Sequence, residues 1–391
     1  MYSILFFSVL FIISSLILAK LIHKNSNLFI VFIISIFILY FFIAPNASIK
    51  YALDGAKLFV IAILPTTFPF MVMCNLLIAF DGIKIYSKIL GPIICKPLKL
   101  NYNCSFAIVA SMLCGYPLGA KYSTWLYKNK LITLEEFKRL INIASNIGPL
   151  FLVGAVGTAL LSNTYLGYLL LFTSYLSIFF MGFITLKKEK FKTPLKTNNI
   201  NLDTNITSKK LNIGEAIKDS IQDALNTTLL IAGYVIIFSV IINILKTNPI
   251  SSILNTHNIK SSLISGLFLG SIEVTNGCNL IASSPNLNTL TKLCIISFLS
   301  SFGGLSVIAQ TSSFFQNLNI STTKYFMYKL LQGIISIFIT AILYLLIGNS
   351  LATVETSHFG PVQALFLSPL MLFLILTIIL LVLFKLFYRR S

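Results

Sequence analysis

Side chains able to do chemistry are few in this chain, and they cluster at breaks in apolar sequence. Of the 11 carboxylates, Glu273 alone lies within an apolar segment, in Gly270-Ser271-Ile272-Glu273-Val274-Thr275-Asn276-Gly277. An ionisable group at the centre of a membrane helix costs about 2.5–3.5 kcal/mol, so it persists where it is paired or wet. Glu273 therefore reads either as a group that hydrogen-bonds or protonates a substrate, or as a clamp on a helix end. A second constellation is Cys114-Gly115-Tyr116-Pro117-Leu118-Gly119-Ala120-Lys121. Its Lys121 either offers a cation to an anionic ligand or snorkels to an interface. Asn146-Ile147-Gly148-Pro149 and Ser300-Ser301-Phe302-Gly303-Gly304 interrupt two further apolar runs, and Asn279, Gln310 and Thr311 lie near these breaks. Each polar side chain there either donates to a ligand or bonds the unwound backbone around it. The candidate binding set is Gly115, Tyr116, Pro117, Gly119, Lys121, Asn146, Glu273, Thr275, Asn276, Ser301, Gly303 and Gly304.

Catalysis finds little support. His23, His257 and His358 sit in loops away from any carboxylate cluster, and no H-E-x-x-H, G-x-S-x-G or P-loop occurs. Cys74, Cys95, Cys104, Cys114, Cys278 and Cys294 show neither C-x-x-C nor metal-ligand spacing, and read as buried apolar thiols. The chain is expected to be no enzyme and to hold no metal or cofactor. Thr133-Leu134-Glu135-Glu136 has the form of a capping box, a structural signal.

The elements that position these residues follow from composition. Of 391 residues, 56% are apolar and 10% charged, whereas a soluble domain needs about 25% charged residues to solvate its surface. The chain is an integral membrane protein. Its net charge of +18 sits in short stretches between apolar runs, as topology demands, and gives no nucleic-acid-binding face. Spans of about 20 apolar residues are expected at Ile4–Ile22, Leu28–Ala44, Leu58–Phe80, Thr164–Leu186, Asp223–Leu245, Lys324–Gly348 and Gln363–Phe387. The stretch Ile213–Gln222 is amphipathic and leads into the fifth of these. Cys104–Ala120, Leu140–Ser162, Ser261–Ser283 and Leu290–Phe315 are apolar but broken by Gly, Pro or polar residues. Backbone freed from a helix in a membrane must be covered by protein or face a wet cavity, so these four are expected to be re-entrant or interrupted elements.

With the N-terminus outside, every basic residue except Lys50, Lys57, Lys246, Lys260 and Lys292 falls on the inner side, Lys324 and Lys329 included. That bias holds only if Cys104–Ala120 and Ser261–Ser283 enter and leave on one side. The Lys-, Asn- and Thr-rich stretch after Leu186 reads as a flexible linker. The chain accordingly divides into an N-terminal transmembrane hairpin (1–49), a first repeat (50–186), a basic cytoplasmic linker (187–212), a second repeat (213–348) and a C-terminal helix (349–391). Each repeat runs from a span led by Asp54 or Asp223, through a broken hairpin, to a helix break and a full span. Pro117 precedes Asn146 by about the interval that separates Glu273 from Gly303. The charge count starts the first unit outside and the second inside, the layout of an inverted repeat. Half-helix N-termini after Gly148-Pro149 and Gly303-Gly304 direct partial positive charge at one region, which favours an anionic or oxygen-rich ligand.

Residues 50–185 resemble a nucleoside-recognition (Gate) domain. Cys114-Gly115-Tyr116-Pro117-Leu118-Gly119-Ala120-Lys121 is similar to the family's S-G-Y-P-x-G-A-K hairpin tip, with Cys114 in place of Ser, and Asn146-Ile147-Gly148-Pro149-Leu150-Phe151 resembles its N-x-x-P-L-F break. The whole chain resembles the sporulation branch of that family. The resemblance implies an all-α polytopic fold similar to concentrative nucleoside transporters, with two hairpins meeting at mid-membrane. It also implies passage of dipicolinate in endospore formation, with nucleoside-like molecules as a second substrate class. A bacterial cell membrane or the membrane around the forespore is the implied location, and related folds often form homo-oligomers. The rival expectation is a non-transporting sporulation scaffold that keeps the fold for partner contact.

The charge bias places the loops holding Lys88, Lys128 and Lys196 in the cytoplasm. Single-cysteine labelling on a cysteine-free background checks this, and external labelling near Lys128 contradicts a re-entrant first hairpin.

Overall fold

The computed structural model describes residues 26–186, 212–247, 259–318 and 320–348. The spans expected at Ile4–Ile22 and Gln363–Phe387 and almost all of the linker lie outside the described residues. Among the described residues all regular structure is helical. Four helices are long and apolar enough to cross a membrane, or up to six spans if each bent pair is one.

Helix α1 (Ser26–Ile43) matches the expected second span. Its Ile34, Ile36, Ile38, Leu39, Phe41 and Phe42 side chains are exposed, an arrangement stable where lipid covers them. Pro45 opens α2 (Pro45–Leu58), which leaves at 112° to α1. A π-helical turn (Phe59–Ile63) joins α2 to α3 (Leu64–Ala79). The helix thus starts well before the span expected from Leu58. Pro65 and Pro69 have no N–H to give to the preceding turn, and the wider turn upstream absorbs that loss.

A bend of 92° leads from α3 into the short α4 (Gly82–Ile89). The first hairpin follows as α5 (Cys104–Cys114) and α6 (Leu118–Lys128). Its tip is Gly115-Tyr116-Pro117, with a cis Tyr116-Pro117 bond and Gly115 at φ 84. Next comes α7 (Leu134–Ile143), begun by the expected capping box: Glu136 N–H donates to Thr133 Oγ1 at 3.3 Å, and Thr133 N–H donates to Glu136 Oε2 at 2.8 Å. After α7 the backbone unwinds through Ala144–Gly148, as the Asn146–Pro149 motif suggests, and Pro149 leads into an 11-residue π-helix at Leu150–Leu160. Helix α8 (Thr164–Ile184) closes the first unit, its N-terminal amides capped by Asn163.

The second unit begins with α9 (Ile213–Thr247), one uninterrupted helix through both the amphipathic stretch and the expected span. Asp223 therefore lies inside a helix and does not begin one. The second hairpin is α10 (Ile259–Ile272) and α11 (Val274–Ser283), with Glu273 between them. Helix α12 (Thr289–Phe302) breaks at Gly303 and resumes as α13 (Gly304–Ser313). Helix α14 (Thr322–Leu343), extended by a π-turn to Gly348, ends the described chain. Both units therefore present a hairpin, a broken helix and a long helix in the same order.

Packing brings these parts to one place. Helix α14 lies against α12 and α8, while α9 packs on α2 and α3 and ties the two units together. Backbone crowding fixes both hairpins. A Cβ on Gly277 would stand 2.2 Å from Gly270 Cα, so backbone lies directly on backbone where the arms of the second hairpin meet there. A Cβ on Gly119 would stand 2.0 Å from Ala144 O, and one on Gly115 2.5 Å from Gly148 N. The first hairpin thus presses its backbone directly against the first helix break.

Gly277→Ala has to spread the second hairpin, and a loss of about 1–3 kcal/mol is expected. Gly233, in α9, has nothing within 4 Å of a built Cβ, so Gly233→Ala should leave stability unchanged or slightly raised. Thermal unfolding of the two purified variants, followed side by side, checks the contrast.

Candidate functional site

The two helix breaks leave carbonyls without intrahelical partners, and the tip of the first hairpin answers one set of them. Tyr116 shares its hydroxyl proton between Ser300 O and Ser301 O, each at 3.1 Å, in the last turn of α12. Its ring lies close enough to Gly303 that a Cβ there would meet it at 3.4 Å. Tyr116 therefore joins the first hairpin to the second break.

At the first break, Asn146 is fully buried. Its amide donates to Ile143 O at 2.9 Å and Ser111 Oγ at 3.3 Å, and its Oδ1 accepts from Gln332 Nε2 at 3.2 Å. Gln332 also donates to Ser177 Oγ of α8 at 2.9 Å. The ammonium of Lys329 donates to Ser145 O at 2.6 Å and to Gln332 Oε1 at 2.7 Å, and stands 5.1 Å from the centre of the Tyr116 ring. Ser336 Oγ lies 2.6 Å from Ser301 Oγ, which reaches the second break, and Tyr325 pairs with Ser145 Oγ. Lys329, Gln332 and Ser336 are all fully buried. Hairpin tip, both breaks, α8 and α14 thus share one connected polar cluster inside an apolar protein.

Glu273 sits at the tip of the second hairpin. It is the N-cap of α11, accepting from Thr275 N–H and Asn276 N–H, both at 2.9 Å, and from Asn276 Nδ2 at 2.8 Å. All of these donors belong to its own hairpin. The carboxylate satisfies the free amides that start α11, where a negative charge also suits the helix dipole. The second tip still meets the second break. A Cβ on Gly304 would stand 2.9 Å from Gly270 O and 3.2 Å from both Ser271 O and Ile272 O. The N-terminus of α13 therefore faces the carbonyl end of α10.

Lys121 points away from the tip. It pairs with Asp223 of α9 and donates to Thr227 Oγ1 at 2.8 Å. Asn75 of α3 donates to Asp223 Oδ2 at 2.8 Å and Ser220 O at 3.1 Å, and Tyr122 Oη donates to Asn75 Oδ1 at 3.3 Å. The result is a clasp between the first hairpin, α3 and α9.

Of the expected site residues, Gly115, Tyr116, Gly119, Asn146, Ser301, Gly303 and Gly304 meet around the breaks. Pro117 starts α6, Glu273, Thr275 and Asn276 form the α11 cap, and Lys121 belongs to the clasp. Gln310 pairs with Ser306 inside α13, and Asn279 is exposed. The main residue missed is Lys329, read as an inner-side charge and found buried within α14. Its signal was present: Tyr325, Lys329, Gln332, Ser336 and Thr340 recur at helical spacing, a polar stripe on an otherwise apolar span. No group of His, Cys, Asp and Glu among the described residues is arranged to hold a metal ion.

Fold and site together define a multi-pass integral membrane protein with a Gate-type segment around its first hairpin. Residues 60–135 match the family model described as nucleoside recognition (Gate). The chain is similar to the sporulation integral membrane protein YlbJ of Bacillus subtilis (strain 168), at 26% identity over 311 residues, covering 74% of this chain and 76% of that protein. Both findings agree with the resemblance carried by the Gly115-Tyr116-Pro117 tip. No solved structure matches the chain.

As an N-cap, Glu273 gives a graded expectation. Glu273→Ala should lower stability by about 0.5–2 kcal/mol, while Glu273→Gln keeps one acceptor oxygen and should lose less. Apparent melting temperatures of the two variants in detergent measure the order. Equal losses would contradict the cap.

Proposed function

We propose that this chain is a permease that moves a small polar or anionic molecule across the membrane by alternating access, with dipicolinate as its substrate in endospore formation. One observation carries the reading: the first hairpin tip and both helix breaks meet at a single buried polar cluster. Interrupted helices meeting inside a membrane protein are the usual construction of a transporter's midplane site. Irregular backbone there is tolerated because protein covers it, and the same polar groups that satisfy it can exchange with those of a ligand.

The alternation follows from the repeat. The two units share one order of parts and, by the loop charges, opposite orientation, so one unit rocks against the other around a fixed site. The fold is in this reading an inverted repeat with two re-entrant hairpins, similar to concentrative nucleoside transporters. No bond is made or broken in the cycle, and no cofactor is called for. Sporulation comes from the name of the similar Bacillus subtilis protein. The substrate choice rests on the resemblance together with a site that offers a cation, amides and hydroxyls. The nucleoside-recognition description of the matching family model favours a nucleoside-like substrate as the second reading.

Uptake by proteoliposomes separates the readings. Saturable entry of labelled dipicolinate, with none of uridine, is the expected result, and the reverse preference selects the nucleoside reading. Silence toward both, with the protein folded and inserted, leaves the scaffold.

A further inference from the structure

Lys329 is the one cation of the buried cluster, and its surroundings are electrically neutral. The ion pairs among the described residues are Lys84–Asp81, Lys121–Asp223 and Lys138–Glu135, and Lys329 is in none of them. Its partners are a backbone carbonyl at the first break, the amide oxygen of Gln332 and the face of the Tyr116 ring. An ammonium taken out of water is costly unless an opposite charge compensates it. The two neutral oxygens give it hydrogen bonds without that charge. For packing alone, methionine fits such a place, and glutamine can donate to the same carbonyl.

Resting on the permease reading above, we propose that Lys329 is the residue that reads the carboxylate of the transported molecule. The carboxylate takes the place of Ser145 O and Gln332 Oε1 at Nζ, so the ammonium exchanges two neutral acceptors for one of opposite charge. The Ser301 and Ser336 hydroxyls are then at hand for the remaining oxygens of the ligand.

Charge elsewhere in the protein gives the ligand a direction. Lys121 is already neutralised by Asp223, so it competes weakly for an anion. Glu273 places a negative charge at the second tip, which repels a carboxylate from that side. An anion entering between the hairpins is thus drawn to the first break. Tyr116, with its ring over the ammonium and its hydroxyl on Ser300 O and Ser301 O, stands over the cation and has to shift with the first hairpin for access. The specificity that results is for acid over amide, because a neutral isostere leaves the ammonium uncompensated.

The test is a binding comparison on the purified full chain, with dipicolinate and its neutral diamide as probes. Wild type should prefer the diacid by at least about tenfold, the discrimination expected when a hydrogen bond involving a charged group is lost. Lys329→Met should bind diacid and diamide alike, and Lys329→Arg should keep a preference for the acid. Should Lys329→Met not fold, as judged by gel filtration and melting, Lys329→Gln poses the same question with a donor retained. A Lys329→Met or Lys329→Gln protein with undiminished preference for the diacid overturns the assignment, as does a wild type that binds the two probes equally. Uptake keeps the two readings apart. If wild type carries dipicolinate and the variants carry it equally well, the assignment falls and the permease stands. If wild type binds the diacid through Lys329 and carries nothing, the permease falls and the site stands.

Discussion

Backbone unwound inside an apolar protein has to find its hydrogen-bond partners from side chains, because lipid supplies none. The structure is organised around meeting that demand twice. At the first break the carbonyl of Ser145 takes the ammonium of Lys329, and Asn146 turns its amide back onto Ile143 O. At the second break Ser300 O and Ser301 O take the hydroxyl of Tyr116, a residue from the opposite unit. Neither break is satisfied by local bonds alone. Each depends on a helix or hairpin brought from elsewhere in the chain, and so local unwinding and global packing are one requirement.

Glycine makes the approach close enough. Gly119 and Gly115 let the first hairpin lie on the backbone of Ala144 and Gly148, and Gly270 and Gly277 let the arms of the second hairpin touch. The two halves then diverge in how they use polar groups. The first break is an open stretch of five residues, Ala144–Gly148, bridged by side chains of α14. The second is the pair Gly303 and Gly304, both at positive φ, with Gly304 crowded by the carbonyl end of α10. Two units with the same order of parts therefore differ at their breaks, with the buried cation at the first and the carboxylate of Glu273 at the second hairpin.

Much of this was legible before any coordinates. The Gly115-Tyr116-Pro117 tip, the unwinding at Asn146–Pro149 and the stop at Gly303 are written in residues that cannot continue a helix, so sequence marks them directly. The capping box at Thr133 and the long helices α8 and α14 were equally plain. What sequence obscured was which side of a helix end a charge lies on. Lys329 follows Lys324 near the start of an apolar run, and counting charges assigned both to the membrane surface. Only the stripe through Gln332, Ser336 and Thr340 turns it inward, and that stripe is a property of packing against α8 and α12. Glu273 shows the converse. Its rarity in apolar sequence left it open between a substrate-contacting group and a clamp on a helix end, and its oxygens accept from the amides of the helix it begins.

The clasp of Lys121 and Asp223 has a mechanical consequence. It fastens the descending arm of the first hairpin to the side of α9, and Asn75 adds α3 to the same joint. Further along, Ser239 of α9 donates to Tyr51 O of α2, and Gly55 lets the two helices touch. Hairpin, α2, α3 and α9 are thereby riveted along one flank, so the Tyr116 tip behaves as the short end of a lever whose long end is the 35-residue α9. A tilt of α9, whose Ile217, Leu225 and Leu229 side chains are exposed, would be carried through the clasp to the hairpin.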